Sequence, residues 1–529
     1  MKRYYITTAI PYANAEPHLG HTFELIGTDV VARAKRLLGY DVIFQTGTDE
    51  HGQKMLDSAQ KAGMSPREYA DKISPRFEEL WRDLNISHDQ FIRSTDEAHG
   101  LGVVAFWKAV RERGDIYLGK YEGWYSVTDE AFYLESQTVE RDGKRFSFDS
   151  DHELIWRTEE SYFFRLSNYT DAMLKWIEAH PDFIQPTFRS NEMVNTFLKQ
   201  GGLQDISISR TSITWGIPVP DDPRHVIYVW FDALINYITG VGYGSDPEMF
   251  AKWWPADMHV VGKDILKFHT LLWPAMLMAA GVEPPKRVFG HGFVSTRVVD
   301  GQLEKMSKSK GNVVNPRDVL TLFGGNPDPL RYFLMAEISY GQDGLFTEDA
   351  LMARYSADLA DKLGNLVARS LTMVGKYQDS DVRAPGEYND EDRAVIAAMT
   401  SLFQPAGDGS EQTAYEAEID AFNFNGMLQE IFEGISALNG YITTQQPWAL
   451  AKDPANADRL TTVLYVLCEG LRVAAVLLSP FIPSTSQKIW QQLGCEANMS
   501  EVPFEELSRW GYLKNTKVAR GENLFPKDK

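Results

Sequence analysis

Residues 303–316 read LEKMSKSKGNVVNP, so three lysines, two serines and a glycine fall within eight residues of a chain whose formal net charge is −20. A cationic, hydroxyl-rich loop of this kind suits a polyphosphate, although a solvated surface loop has the same composition. Lys305 and Lys308 could neutralise charge on a departing pyrophosphate, with Ser307 and Ser309 interleaved and Gly311 letting the loop move. Such a clamp accelerates most when it grips the transition state more tightly than the ground state. A second pattern is HLGH, His18 to His21. Pro17 suits a helix's first turn, which would set both imidazoles near a helix N-terminus, three residues apart. Exposed N–H groups and the helix dipole favour an anion there. A histidine pair one turn apart can also ligate zinc, but the glutamate and third ligand of such motifs are missing.

The elements that must position these groups follow from periodicity. Residues 4–10 are β-branched and aromatic and read as a buried strand stopped by Pro11. Leu19, Phe23, Ile26, Val30 and Leu37 then recur at helical spacings up to Gly39, and DVIFQTG reads as a second strand. Strand, helix and strand within 50 residues predict a parallel sheet with ligands at its carboxyl ends. Both PYANAEPHLGH and GTDEHG fall at those ends. From about 115 to 225 the chain turns rich in Tyr, Ser, Asp and Trp, with turns such as RDGKR, and reads as an insertion. Sheet-type segments return with HVIYVWFDAL, DMHVVG and RVFGHGFVS. After residue 350 the pattern is helical.

The 529 residues call for two to four domains, and 43% apolar and 12% aromatic content supplies their cores. No run of 18 uncharged apolar residues predicts a membrane span, and the N-terminus carries no signal or Arg/Ser-rich presequence pattern. Cys468 and Cys495 lie far apart with no CxxC, which points to a reducing compartment and excludes a disulfide framework. Acidity opposes indiscriminate nucleic-acid binding, but residues 301–320 are locally basic, with Lys305, Lys308, Lys310 and Arg317 against Glu304 and Asp318.

Seven collinear stretches, AIPYANAEPHLGH, GTDEHGQK, YVWFDALINY, VGKDILKFHTLLWPAML, EKMSKSKGN, DKLGNLVAR and QQPWALAK, run nearly end to end. In these the chain resembles the methionyl-tRNA synthetases of class I. The resemblance implies an α/β fold: a split Rossmann-type catalytic domain (1–115 and 226–295), a connective insertion (116–225), a KMSKS and stem-contact region (296–350), and an all-helical anticodon-binding bundle (351–529). It implies that methionine and ATP form methionyl-adenylate and pyrophosphate, after which methionine passes to the terminal adenosine of tRNA(Met), initiator and elongator. His18, Gly20, His21, Lys305, Ser307, Lys308 and Ser309 would handle ATP, with Mg²⁺ arriving alongside it and no dedicated protein cage. Ile10, Tyr12, Asp49, Trp230, Ala233, Tyr237 and His269 would bind methionine, Asp49 meeting its ammonium group. Aromatic rings suit a polarizable thioether, yet each of these residues taken alone reads equally as core. Leu272 stands where some relatives carry phenylalanine, which loosens the expected pocket floor.

Asn365 and Arg369, four apart on one helix face, and Trp448 after Pro447 would recognise the anticodon through base edges and stacking. Taken alone they read as a capped helix, a solvated arginine and a buried tryptophan. The roughly 110-residue insertion leaves no room for the large editing domain of the related leucine, isoleucine and valine enzymes. Where many relatives hold a zinc knuckle on cysteines, YEGWYSVTDEAFYLES offers Ser126 and Asp129, and no cysteine precedes residue 468. The expectation is a metal-free knuckle packed by Trp124, Tyr125, Phe132 and Tyr133. A cytoplasmic monomer is expected, binding no DNA and no membrane; mitochondrial use after loss of a presequence stays open. The rival readings are a class I synthetase for another amino acid, a small-molecule nucleotidyltransferase, and a non-catalytic tRNA-binding protein.

Overall fold

A computed structural model describes residues 2–128, 131–133, 135–148, 150–299, 302–305, 313–407, 409 and 412–526. At its centre is a six-stranded sheet made of β1 (Arg3–Thr8), β2 (Asp41–Thr48), β3 (Gln90–Arg93), β4 (Ile184–Gln185), β5 (Met258–Gly262) and β6 (Val288–His291). Their order across the sheet is β3-β2-β1-β5-β6-β4 and every pairing is parallel. The register of β1 places Ile6 opposite Phe44 on one side and Met258 on the other. Alternation along β1 sends Tyr4 and Ile6 into one core and Tyr5 into the other, so the strand is buried on both faces.

Helix α1 (Leu19–Leu37) follows β1 and packs on the first face through Phe23, Ile26 and Val30. It ends with Gly39 at φ +83°, a left-handed conformation that suits glycine. The segment between residues 116 and 225 holds more than an excursion. Its long strands Ile116–Ser126 and Glu153–Phe164 pair antiparallel over their whole length, but β4 then rejoins the central sheet beside β6. Within the hairpin, Trp124 lies opposite Tyr133 and meets Trp156 edge-on at 5.3 Å, a partner the sequence does not announce. Tyr125 is buried under the Arg157 guanidinium. Ser147 and Ser150 share a hydroxyl hydrogen bond in the facing turn. Asp129 and the side chain of Phe132 lie outside what the structure describes.

The C-terminal part is helical. Its central helix, Ala457–Leu478, is apolar and long enough to cross a bilayer, yet 94% of its most apolar window is buried by neighbouring helices. Glu469 and Arg472 pair inside it, and Glu469 accepts three backbone N–H bonds from residues 511–513, so its charge is satisfied. Two buried ionic ties join this bundle to α1. Arg331 donates to Asp29 at 2.7 Å and to the carbonyls of Pro480, Phe481 and Leu84. Lys35 meets Glu416 at 3.0 Å and Asp420 at 2.9 Å.

Candidate active site

The carboxyl ends of β1, β2, β5 and β6 open into one cleft of about 940 Å³. It gathers residues from widely separated parts of the chain. Ile10, Tyr12, Asp49, Trp230, Ala233, Tyr237 and His269 all line it, together with His18, Gly20 and His21. Lys305 closes a strand that pairs with residues 294–299, whereas Ser307, Lys308 and Ser309 lie outside the described residues.

The HLGH end differs in detail from the sequence expectation. Pro17 precedes the helix's first turn, and His18 is itself the N-cap. Its Nδ1 accepts the Gly20 N–H at 3.1 Å, and the Nδ1 of His21 accepts the His18 N–H at 3.2 Å. Two imidazoles thereby form the reciprocal arrangement usually built from a serine and a glutamate. The rings stack with centroids 3.9 Å apart. An Nδ1 that accepts a backbone proton carries none, so each neutral ring bears its hydrogen on Nε2. The motif thus offers parallel Nε2–H donors at a positive helix end.

At the other end Tyr237 and His269 form a dry pair. The Tyr237 hydroxyl donates to His269 Nε2 at 2.7 Å, and His269 Nδ1 donates to the Ile265 carbonyl at 3.0 Å. Burial pushes the His269 imidazole down to about 4, against smaller raising influences of Ile265 and Asp264. The ring is neutral at ordinary pH. A π-helical turn, Phe268–Leu272, carries His269 into the cleft, a geometry frequent at functional sites. Phe268 stacks on Trp230 with centroids 3.9 Å apart and planes 11° from parallel. Leu272 is buried in the same hydrophobic cluster as Tyr237. Asp49 is buried, bridges to Tyr12 across the sheet end, and accepts from Ser94 Oγ and the His51 N–H at 3.3 Å.

Behind this wall Asp232 bridges two histidines, His51 Nδ1 at 2.6 Å and His99 Nε2 at 2.8 Å. Burial works to raise its carboxyl, yet the two imidazoles together hold it at about 2. The bridge fixes the turn after β2, which carries Asp49, to the helix Val229–Leu234, which carries Trp230 and Ala233. Between the two ends, Glu24 meets His291 Nε2 at 2.9 Å while His291 Nδ1 donates to the Gly292 carbonyl. Burial raises the Glu24 carboxyl above its usual range, with His291 opposing. The pair lies within the lining of the cleft.

The family described as class I tRNA synthetases (M) matches residues 4–142 and 144–371, and an anticodon-binding domain of tRNA ligases matches 412–523. A methionine–tRNA ligase of Caldanaerobacter subterraneus is 47% identical over 528 residues, 99% of this chain and 79% of that protein. The chain belongs to the methionyl-tRNA synthetases. It is thus a class I aminoacyl-tRNA synthetase, a ligase that joins methionine to tRNA. The methionine–tRNA ligase of Mycobacterium tuberculosis is 46% identical over 501 residues, 94% of this synthetase and 93% of its own length. A solved structure described as that organism's methionyl-tRNA synthetase in complex with methionyl-adenylate superposes with a TM-score of 0.93 at 44% identity, each chain fully covered.

The synthetase's cleft also holds groups that the sequence reading missed. Glu24 lies one turn after His21 on α1, a spacing that could have found it. His291 sits in GHGF just before the KMSKS stretch. Asn236, whose side chain donates to the Ala233 carbonyl at 2.6 Å, and Asp264 also line it. In the helical part, Asn365 and Arg369 lie on one continuous helix that begins at Glu348 and runs through a π-helical stretch, Tyr355–Gly364. Asn365 is exposed and caps nothing, Arg369 is half-buried, and Trp448 is 43% exposed. None of the three is taken up by the core.

Proposed function

We propose that the cleft binds methionine between Ile10, Tyr12, Trp230, Ala233, Tyr237 and His269, with its ammonium group on Asp49. ATP lies along the N-terminus of α1. The observation that carries this reading is the convergence of all seven methionine candidates and the HLGH motif on one cleft. In activation a methionine carboxylate oxygen attacks the α-phosphorus, the bond to the bridging oxygen breaks, and pyrophosphate leaves with the electron pair. Positioning and charge stabilisation do most of this chemistry. The Nε2–H groups of His18 and His21 donate to the phosphates, and Lys305, Ser307, Lys308 and Ser309 close over the leaving group. Among the described residues no group of three or more His, Cys, Asp or Glu could hold a metal. Mg²⁺ would enter bound to ATP's phosphates and offset their charge.

In transfer, a ribose hydroxyl of the terminal adenosine attacks the acyl carbonyl. The ester C–O bond forms, the bond to the adenylate phosphate breaks, and AMP leaves as the hydroxyl proton is given up. Trp448, Asn365 and Arg369 read the anticodon of initiator and elongator tRNA(Met). A zinc-free knuckle, a monomeric state and cytoplasmic residence complete the proposal, and residues 116–225, 296–350 and 351–529 serve as connective, stem-contact and anticodon-binding parts. Amino-acid-dependent ATP–pyrophosphate exchange without tRNA tests the pocket. Exchange driven by methionine alone is the expected result, and exchange driven by another amino acid would overturn the assignment.

A further inference from the structure

We infer that Asp232 is a positioning residue for methionine: it sets the spacing between the cleft's ammonium wall and its side-chain wall. The inference rests on the reading of the cleft given above, in which Asp49 takes the ammonium group and Trp230, Ala233, Tyr237 and His269 flank the side chain. Asp232 stands in the helix Val229–Leu234, His51 in the turn after β2, and His99 in the helix Glu97–Glu112. All three are buried. The ionised carboxylate only accepts, so His51 Nδ1–H and His99 Nε2–H are the donors, at 2.6 and 2.8 Å.

Each histidine is held in turn by the wall it serves. The His51 N–H donates to Asp49 Oδ1 at 3.3 Å, and the His51 ring meets the Trp215 indole edge-on with centroids 5.5 Å apart. Trp215 Nε1 donates to the Glu50 carbonyl at 2.6 Å, which steadies the same turn. On the other side, His99 Nδ1 lies 2.8 Å from Thr239 Oγ1. With its hydrogen on Nε2, the neutral ring accepts there from the threonine hydroxyl. His99 thus grips the chain at residues 232 and 239. Ala233 and Tyr237 lie between the two grips, and Trp230 lies just before them. One carboxylate therefore joins the turn that carries Asp49 to the segment that carries three of the side-chain contacts.

Stability is a weak reason for such a group, because apolar residues of similar volume often hold a fold as well as a buried ionic cluster does. What a carboxylate with two donors adds is direction, since each hydrogen bond weakens steeply when misaligned. Gln45 makes a separate tie from β2 to the same segment, its amide donating to Asn236 Oδ1 at 2.9 Å. The elements therefore stay joined when the bridge is cut, and what changes is their spacing. Methionine touches both walls at once, so its affinity depends on that spacing, whereas a ligand confined to one wall is indifferent to it.

The test measures ATP–pyrophosphate exchange on the full chain with two ligands. One is methionine; the other is its deamino analogue, in which hydrogen replaces the ammonium group, used as a competitive inhibitor. Asp232→Asn sets an N–H donor against one of the two imidazole N–H groups. It should raise the KM for methionine about tenfold or more, the scale of a hydrogen bond to a charged group, with the KM for ATP and the analogue's inhibition constant within about twofold of the wild type. His99→Ala should do the same while keeping the Asp232 charge. His99→Gln can donate from the position of Nε2 and should restore most of the loss. Parallel weakening of methionine and the analogue would mean general damage to the pocket and overturn the inference, as would an unchanged KM for methionine or equal values for His99→Gln and His99→Ala. Should Asp232→Asn fail to fold, the His99 pair decides on the same readouts. Absence of methionine-dependent exchange in the wild type would instead overturn the reading of the cleft itself.

Discussion

His21 does two jobs that one substitution can separate. Its Nδ1 accepts the His18 N–H at 3.2 Å and so caps α1, while Nε2–H is the donor assigned to the phosphates. An asparagine at position 21 can place its Oδ1 near the position of Nδ1 and keep the cap, but its side chain is too short to reach where Nε2 stands. An alanine loses both. Loss of a cap costs about 0.5–2 kcal/mol of stability, whereas loss of one preorganised donor to the transition state costs about 10²–10³ in rate, roughly 2.7–4 kcal/mol. His21→Asn should therefore lower the methionine-dependent exchange rate by about 10²–10³ while unfolding within about 0.5 kcal/mol of the wild type. His21→Ala should show the same rate loss and melt about 1 kcal/mol lower. Exchange kinetics at saturating ATP and urea unfolding measure the two quantities on the same samples. Wild-type exchange in His21→Asn would refute the donor role, because that variant keeps the cap and discards the reach.

Three further outcomes are expected. Arg331→Met leaves Asp29 buried with only Arg33 and Ser87 as partners, so unfolding should be easier by about 3 kcal/mol, the lower end for a broken buried pair; urea unfolding checks it, and a change below about 1 kcal/mol would show the tie to be dispensable. Burial lowers the His269 imidazole from its usual 6.5 to about 4, so the folded state is penalised when that ring must charge. Its contribution to stability is whole above pH 6.5 and drains as pH falls towards 4, by up to ~3 kcal/mol. If His269→Gln kept the full acid slope in unfolding measurements, another group would be responsible. Trp448→Ala removes an exposed stacking surface worth about 1–3 kcal/mol per base, so aminoacylation should fall about 5- to 150-fold more than exchange; parallel losses would deny it an anticodon role.

What could be read beforehand was set by local physics. The strand at residues 4–10 and the helix ending near Gly39 follow from apolar spacing and a glycine stop, and the observed β1 and α1 differ from them by a residue or two. The seven methionine candidates come from four separate stretches, and the parallel sheet brings those stretches to one end because crossover connections put the carboxyl end of every strand on the same side. The cap escaped notice because histidine is a rare capping residue, so Pro17 was the stronger local signal. β4 is two residues long and leaves no periodic trace. The π-helical turn that aims His269 differs from an α-helix by one hydrogen-bond register, which composition does not encode. The Glu24–His291 and Asp232–His99 contacts join residues 267 and 133 positions apart, and no local pattern carries such pairings.

The same long-range ties explain why α1 matters beyond its first turn. A helix of 19 residues spans about 28 Å, and this one is held at three levels. His18 and His21 face the cleft at its start, Asp29 is locked to Arg331 midway, and Lys35 is clasped by Glu416 and Asp420 at its end. Asp29 shows how firm the middle tie is: burial alone would raise its carboxyl, but Arg33 and Arg331 hold it well below the carboxylate range. Arg331 in turn reaches the carbonyls of residues 480 and 481, at the end of the buried helix Ala457–Leu478. The two imidazoles at the start of α1 are thus set by a rod whose far half is bolted to the helical bundle. Positional errors near 1 Å at reacting groups can cost about a hundredfold in rate. The alignment that the proposed roles of His18 and His21 require is therefore a property of the sheet domain and the helical bundle together, and the charged residues buried along α1 are the price of joining them.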